Sequence, residues 1–280
     1  MNDPSAANDA HTQRAADIVE PASVAAMSAT LDYDRPPLPG EPLPHLWHWI
    51  FFRPTVPQSQ IAHDGHPKKG GFLPDLGLPR RMWAGGRLRF LAPLSVGSAI
   101  TRESTIVDIA EKQGRTGRLA FVTVNHKIWC EGTLAIDEEH DIVYREPAAP
   151  GSPAASPVTA PDHAQWHRDI VPDEVLMFRY SALTFNAHRI HYDKPYATQT
   201  EGYPNLVVHG PLIATLLMDL LRRQRPAATV LDFSYKAMRP SFAGNVMFLC
   251  GRPSADGRTV ELWSKDHEGW LTMTAHATLA

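Results

Sequence analysis

Residues 180–211 read Y-S-A-L-T-F-N-A-H-R-I-H-Y-D-K-P-Y-A-T-Q-T-E-G-Y-P-N-L-V-V-H-G-P, and an apolar run, Leu212 to Leu221, follows directly. Only Thr215 and Asp219 interrupt that run. A helix that is apolar on nearly every side is buried on most of them. Pro211 in the first turn and Arg222 and Arg223 in the last suit the two ends of such a helix. Strand-like segments follow it, so a sheet wrapped around one helix is expected. Upstream, Glu174 to Thr184 reads as a strand leading into the loop. A loop rich in His, Asn, Asp and Tyr between a strand and a buried helix is where chemistry tends to sit.

Working outward, Val230 to Met238, Asn245 to Arg252, and Val260 to Ser264 continuing through Trp270 to Leu279 read as strands. Ala255 to Arg258 is a hairpin turn. In the first half, Ala15 to Leu31 has helical spacing, and Asp32 to Pro44 is proline-rich. Leu46 to Phe52 is aromatic and expected to be core. Val56 to Pro79, containing D-G-H-P-K-K-G-G, is a long irregular segment, which in a compact domain is usually functional or covers something. Arg87 to Leu91, Ala99 to Ala110 and Leu119 to Ile136 read as strands, with a turn at Lys112 to Gly117, and Asp137 to Arg145 closes the half. Residues 147–161 hold five prolines and five alanines, the composition of an extended, semi-rigid linker. The expected organisation is a disordered tail at 1–13, an N-terminal domain at 14–146, the linker at 147–161 and a C-terminal domain at 162–280.

The halves share a faint repeat. P-x-x-x-G occurs at Pro93–Gly97 and Pro240–Gly244. Each is followed by a strand, a Gly-Arg turn (Gly114-Arg115, Gly257-Arg258), a strand, and Glu-Gly (Glu131-Gly132, Glu268-Gly269). The shared order points to duplication of one fold. Only the second half carries the histidine-rich loop and the long apolar helix.

Composition narrows the function. A net charge of −3 over 280 residues argues against nucleic acid as a partner. Two cysteines, Cys130 and Cys250, make no disulfide framework and suit a reducing compartment. No apolar run reaches membrane-spanning length, and the N-terminus lacks a basic start with an apolar core. A cytoplasmic protein without membrane contact is expected.

Three readings of the loop compete. His188, His191, His209 and Asp193 could ligate a metal, but no helical H-E-x-x-H frame and no cysteine support it. The histidines could simply be hydrogen-bonding members of a polar loop. Or a neutral imidazole moves a proton while Asn186 holds a water or substrate oxygen. Gly210, at the start of the buried helix, adds unpaired N–H groups and a positive dipole end, which suit a carbonyl oxygen gaining negative charge.

N-A-H-R-I-H-Y-D with V-V-H-G resembles the signature of the MaoC-like enoyl-CoA hydratases of the hotdog fold, D-x-N-P-[LIV]-H-x-[DE] followed by A-H-G or V-H-G. His191, Asp193, His209 and Gly210 match. The chain departs at Asn186, where that family has its catalytic Asp, at His188 for Asn, and at Arg189 for Pro. This departure resembles the subgroup of hydroxyacyl-thioester dehydratase type 2 and 3-methylfumaryl-CoA (mesaconyl-CoA) hydratase proteins. The first half resembles the same subgroup through L-P-H-L-W-H-W-I-F-F, D-G-H-P-x-x-G-G-F-L-P and P-R-R-M-W-A-G-G-R-L.

The resemblance implies an α+β double hotdog, two antiparallel sheets each wrapping a helix. It implies a hydro-lyase acting on an acyl-CoA thioester, with branched dicarboxylyl-CoA such as 3-methylfumaryl-CoA favoured. Catalysis would fall to Asn186, His191 and Gly210, with His188, His209 and Asp193 shaping the substrate site. Because Asn cannot take a proton, His191 is the expected base and Asn186 the residue that orients the water. Lys236 and Arg239 are the candidates for the CoA phosphates. A second carboxylate on the acyl group would need an arginine, and Arg80-Arg81 follow the long loop. No metal or other cofactor is expected, coenzyme A being part of the substrate. Association of copies through the sheets is left open. The rival readings are an (R)-3-hydroxyacyl-thioester dehydratase of fatty acyl chains, a hotdog thioesterase, and a non-catalytic acyl-CoA-binding module.

Overall fold

The apolar run forms α3, Gly210–Gln224, and every residue from Leu212 to Leu221 is buried. Both polar interruptions are satisfied. Thr215 Oγ1 donates to Pro211 O at 2.8 Å. Asp219 accepts from Arg223, one turn on, at 2.9 Å, and from Arg168 and Tyr33. Burial and the bond to Asp219 push the Tyr33 phenol up to about 12.

A computed structural model describes residues 12–114, 117–146 and 156–280. The first half holds β1 (Thr12–Ile18), α1 (Pro21–Thr30), β2 (Arg80–Phe90), β3 (Ala99–Gly114), β4 (Gly117–Cys130) and β5 (Thr133–Arg145). The second holds β6 (Trp166–Ile170), α2 (Glu174–Thr184), α3, β7 (Val230–Ala237), β8 (Met247–Pro253), β9 (Thr259–Lys265) and β10 (Leu271–Leu279). The strands form one antiparallel sheet in the order β1-β3-β4-β5-β2-β7-β10-β9-β8-β6. From its outer edge inward, the first half runs β1-β3-β4-β5-β2 and the second β6-β8-β9-β10-β7, which is the same topology. This is the double hotdog. The repeat is kept at the backbone in two of its three turns: Gly97 and Gly244, and Gly132 and Gly269, are matched pairs with positive φ, whereas Gly257 has a positive φ and its expected counterpart Gly114 does not, Gly117 having one instead.

The second half wraps its sheet over α3, which packs on β6, β8, β9 and β10. Val24 and Met27 of α1 and Met177 and Tyr180 of α2 join the same core, where α1 meets α2 and the 3₁₀ turn Trp47–Ile50. β2 and β7 pair from Gly85↔Lys236 to Arg89↔Asp232 and join the halves.

Four expectations are corrected. Glu174–Thr184 is a helix, not a strand: the Asp173 side chain accepts from Leu176 N–H at 2.8 Å as an N-cap, and Met177, Tyr180, Ser181 and Leu183 form the buried side. Ala15–Leu31 is not one helix, because β1 pairs with β3 up to Ile18↔Ala99 and Pro21, which can begin a helix but not continue one, opens α1. Leu119–Ile136 is two strands, broken at Glu131-Gly132, both with positive φ. Thr12 and Gln13, placed in the tail, belong to β1; the rest of that tail, 1–11, and residues 147–155 of the linker lie outside the described residues. So do Arg115 and Thr116, at the centre of the expected Lys112–Gly117 turn.

The first half buries a carboxylate. Glu138 of β5 is 2% exposed. It accepts from Trp49 Nε1 at 2.7 Å, from His48 Nε2 at 3.0 Å and from His140 Nε2. Burial alone would raise its pKa, but His140 and His48 prevail and hold the carboxyl well below the usual range. Glu138→Ala is therefore expected to cost about 3 kcal/mol or more at pH 7, read by denaturant unfolding. The folded pKa is depressed, so this contribution is present above the unfolded value, near 4.3, and lost as pH falls through the folded one. Variant and parent should converge in acid.

Candidate active site

The loop after α2 is shaped by its own polar groups. Phe185 ends the helix in the left-handed region. Asn186 N–H donates to Ser181 O at 2.9 Å, and Asn186 Oδ1 accepts from His188 N–H at 2.9 Å, an Asx turn. The 3₁₀ turn Arg189–His191 follows. Asp193 pairs with Arg189 at 2.7 Å and accepts from Tyr196 N–H at 3.0 Å. Asp193 is thus an anchor of the loop. Asn186 gives its oxygen to the loop and keeps its amide donors.

His191 is buried, and its Nδ1–H donates to Val207 O at 2.7 Å. That bond fixes the tautomer and leaves Nε2 as a bare acceptor. Burial pushes the imidazole down to about 3, so it is neutral at pH 7. Its ring stacks on His209, with centroids 3.7 Å apart. His209 is sealed inside, its Nε2 bonded to Ser181 Oγ at 2.8 Å; it positions His191 and faces no open space. His209 also caps α3. The first intrahelical bond after it is Ile213 N–H to His209 O, so Gly210 N–H has no acceptor in the helix. Gly210 is half-buried, and a Cβ there would stand 2.7 Å from the Trp83 ring. Trp83 stacks on Tyr235 at 4.4 Å and meets Trp49 edge-on, which places an aromatic wall beside the helix start.

The first half reaches this loop through the irregular segment. Gly65 has φ +92, and a Cβ there would lie 1.7 Å from Ala187 O, so only glycine lets the two backbones touch. Arg189 N–H donates to Asp64 O at 2.8 Å, and Arg189 Nη1 donates to His63 O at 3.1 Å. The His66 ring then lies 3.9 Å from that of His188, and His188 meets His191 edge-on at 5.3 Å. His66, His188, His191 and His209 form one row. Burial also pushes His188 down to about 3. Asp64 accepts from His66 Nδ1 at 3.1 Å and from His66 N–H at 3.0 Å. Burial opposes its charge, but these bonds prevail and hold the carboxyl well below the usual range.

Asn186, His188, His191, His209 and Gly210 therefore sit in one continuous stretch of the site. Asp193 lies at its back. Lys236 is exposed on β7, while Arg239 stands 3.7 Å from Asp266. The ligand set His188, His191, His209 and Asp193 is not assembled, since Asp193 and His191 Nδ1 are otherwise engaged. Among the described residues the trio with metal-ligand spacing is Asp64, His66 and His188, whose ligand atoms lie within 4.8 Å of one another. D-G-H-P stands out as a motif in the sequence, but nothing local to it assigns Asp64 and His66 a role. Their nearness to the loop is tertiary, and the glycine between two polar residues was its one local sign. The surface groove lined by Arg87, Arg89, Asp137 and Asp232 is elsewhere, on the outer face of the sheet, with its arginines paired to Asp137, Glu139 and Asp141.

The family model of hydroxyacyl-thioester dehydratase type 2 matches residues 46–243. The chain belongs to that family. The hydroxyacyl-thioester dehydratase type 2 match spans both the Asp64 turn and the histidine loop. A mesaconyl-C(4)-CoA hydratase of Chloroflexus aurantiacus is 48% identical over 94% of each chain. Among solved structures, a MaoC-like dehydratase superposes with a TM-score of 0.71 at 14% identity, covering 96% of this chain and 97% of that one. A conserved hypothetical protein of Mycobacterium tuberculosis described as a double hotdog gives 0.56 at 15%, with 96% of each chain covered. These two share the fold.

Gly65→Ala tests the docking of the two halves. It meets a backbone carbonyl and a left-handed φ, so the turn must lift off the loop. Activity is expected to fall at least tenfold, and cleavage by trypsin at Lys68-Lys69 to quicken, while the main unfolding transition moves by only about 1–2 kcal/mol.

Proposed function

We propose that the chain adds water across the double bond of an enoyl-CoA thioester, with branched dicarboxylyl-CoA of the 3-methylfumaryl (mesaconyl) type as substrate. The observation that carries this is the pairing of a bare imidazole Nε2 at His191 with an unengaged helix-start N–H at Gly210, supplied by the two ends of one loop. The thioester carbonyl accepts from Gly210 N–H. That contact and the dipole of α3 draw charge from the double bond and make the β-carbon electrophilic. Water held by the Asn186 amide and His191 Nε2 attacks as His191 takes its proton. Proton transfer of this kind is worth about 10²–10⁴-fold. The enolate charge rests at Gly210 N–H.

Arg81 favours the dicarboxylic acyl group. Burial is the main cause that lowers the pKa of His66 and His188, and the Arg81 charge, near enough to be felt at both rings, adds to it. Arg80 beside it is paired with Glu201 at 3.1 Å, whereas Arg81 has no ion pair among the described residues. A buried carboxylate needs such a partner. The 48%-identical relative, a mesaconyl-C(4)-CoA hydratase, supports the same substrate. Exposed Lys236 is the better candidate for a CoA phosphate, Arg239 being drawn to Asp266. The reaction balances without a metal, so EDTA should leave the rate unchanged. No helix among the described residues is long and apolar enough to cross a membrane, and the two free, buried cysteines suit the cytoplasm.

The second reading, a dehydratase of fatty acyl chains, follows from the family's name. The two part on a panel of enoyl-CoAs followed by loss of conjugated absorbance. Mesaconyl-CoA is expected to exceed straight monocarboxylic chains at least a hundredfold in kcat/KM, and Arg81→Leu to remove that preference. A preference for monocarboxylic chains refutes the dicarboxylic assignment. His191→Ala should lower kcat about a hundredfold or more with little change in KM. Asn186→Ala should cost similarly, while Asn186→Asp, which keeps the acceptor for His188 N–H, should retain activity.

A further inference from the structure

Hydration moves two protons at two atoms. One leaves the water that attacks the β-carbon, and one arrives at the α-carbon. His191 accounts for the first. Where the related signature has a carboxylate, this chain has Asn186, which can do neither. The chain's second half offers no other carboxylate for the purpose, because Asp193 is spent on Arg189 and Tyr196 N–H.

The first half supplies one. The Asp64–His66 turn touches the catalytic loop through Gly65, is clamped by Arg189, and sets the His66 ring 3.9 Å from His188. Asp64 takes the His66 Nδ1 proton in a 3.1 Å bond. This fixes the tautomer and leaves Nε2 facing away from the carboxylate. An imidazole backed by a carboxylate holds a proton better than one backed by a neutral carbonyl, and His191 has only Val207 O. Around His66 the charged and titratable groups are Asp64, His188, Arg81 and Lys69. Burial is the largest influence and, with Arg81 and Lys69, lowers the His66 pKa, while Asp64, through its hydrogen bond and its charge, favours the imidazolium.

We propose that His66, held by Asp64, is a second catalytic residue, which delivers the proton to the α-carbon. The inference rests on the hydratase reading above. In balance, His191 Nε2 takes a proton from water as the oxygen–β-carbon bond forms. The electron pair of the double bond moves to the enolate, which collapses as the α-carbon takes the proton from His66 Nε2. After product leaves, the proton on His191 returns to His66 through solvent, and the enzyme is restored. In dehydration each step runs backwards, with His66 removing the α-proton. Asp64 is the positioning residue. The same three side chains, Asp64, His66 and His188, could alternatively hold a cation, and the test must separate the two.

The full chain, its His66→Gln variant and its Asp64→Asn variant are assayed with the best enoyl-CoA of the panel, with folding followed by thermal melting. Both variants are expected to lose about a hundredfold or more in kcat with KM within about threefold, as for a group acting only in the transition state. Should His66→Gln not fold, Asp64→Asn, which preserves shape and an acceptor for Nδ1–H, gives the same reading. Near-parental kcat in either folded variant overturns the proposal. So does a rise in KM that accounts for the whole loss. Loss of parental activity in EDTA, restored by one divalent metal, overturns it in favour of a metal site. A parent protein that hydrates no enoyl-CoA defeats the hydratase reading itself, before any variant is compared.

Discussion

The pairing of β2 with β7 is the contact on which the rest depends. It turns two five-stranded sheets into one of ten, in a single register from Gly85↔Lys236 to Arg89↔Asp232. The approach is close: a Cβ on Gly86 would fall 2.3 Å from the Tyr235 hydroxyl and 2.5 Å from Glu139 O. Tyr235 is thereby pressed into the seam, Trp83 stacks on Tyr235, and Gly210 rests against Trp83. The start of α3 is therefore positioned from the first half. The same seam fixes where Arg80 and Arg81 emerge, and they end the loop that carries Asp64 and His66.

The two halves keep one topology and have divided the labour. The second retains a long apolar helix under its sheet, and with it a helix start that can serve a carbonyl oxygen. The first has no such helix among its described residues. Its corresponding space is filled by aromatic side chains and by the Glu138 cluster, a buried charge held by His48, His140 and Trp49. Having no active helix of its own, the first half is free to send a long loop across to the other. The irregular segment Val56 to Pro79 serves both halves: Phe72, Leu73, Leu76 and Leu78 pack on the first half's own sheet, while Gly65 and the His63 and Asp64 carbonyls meet the other half's loop.

Much of this was legible. The all-round apolar run predicted α3 and its burial, and the order of Pro, Gly and Glu-Gly signals predicted the duplication, because turns that need a positive φ leave glycines behind. The histidine loop could be placed by its neighbours alone. The strand read at Glu174–Thr184 failed because its Val, Phe and Tyr suggest a strand, while the Asp173 cap and the packing of Met177 and Tyr180 decide for a helix. The joining of Ala15–Leu31 failed because the pairing of β1 with β3 spans more than eighty residues and has no local sign. Asp64 and His66 were invisible as site residues for the same reason. Their role depends on a contact with Ala187 that only the folded chain makes.

The energetics of the histidine row favour an anionic substrate. Burial drives His188, His191 and His209 towards the neutral form, so these three carry no charge at pH 7. Beside them Asp64 is held ionised by its bonds to His66, and Arg81 carries a positive charge. A thioester bearing a free carboxylate would pair with Arg81 and leave Asp64 as the uncompensated charge beside His66. On the proposed mechanism this favours the His66 imidazolium in the substrate-bound site, the form from which the proton is delivered. A neutral fatty acyl chain would leave the half-buried Arg81 without an ion pair and would forgo this coupling. The second carboxylate of a dicarboxylic substrate is thus more than a handle for binding. On the proposed mechanism its charge, through Arg81, would help set the protonation state of His66.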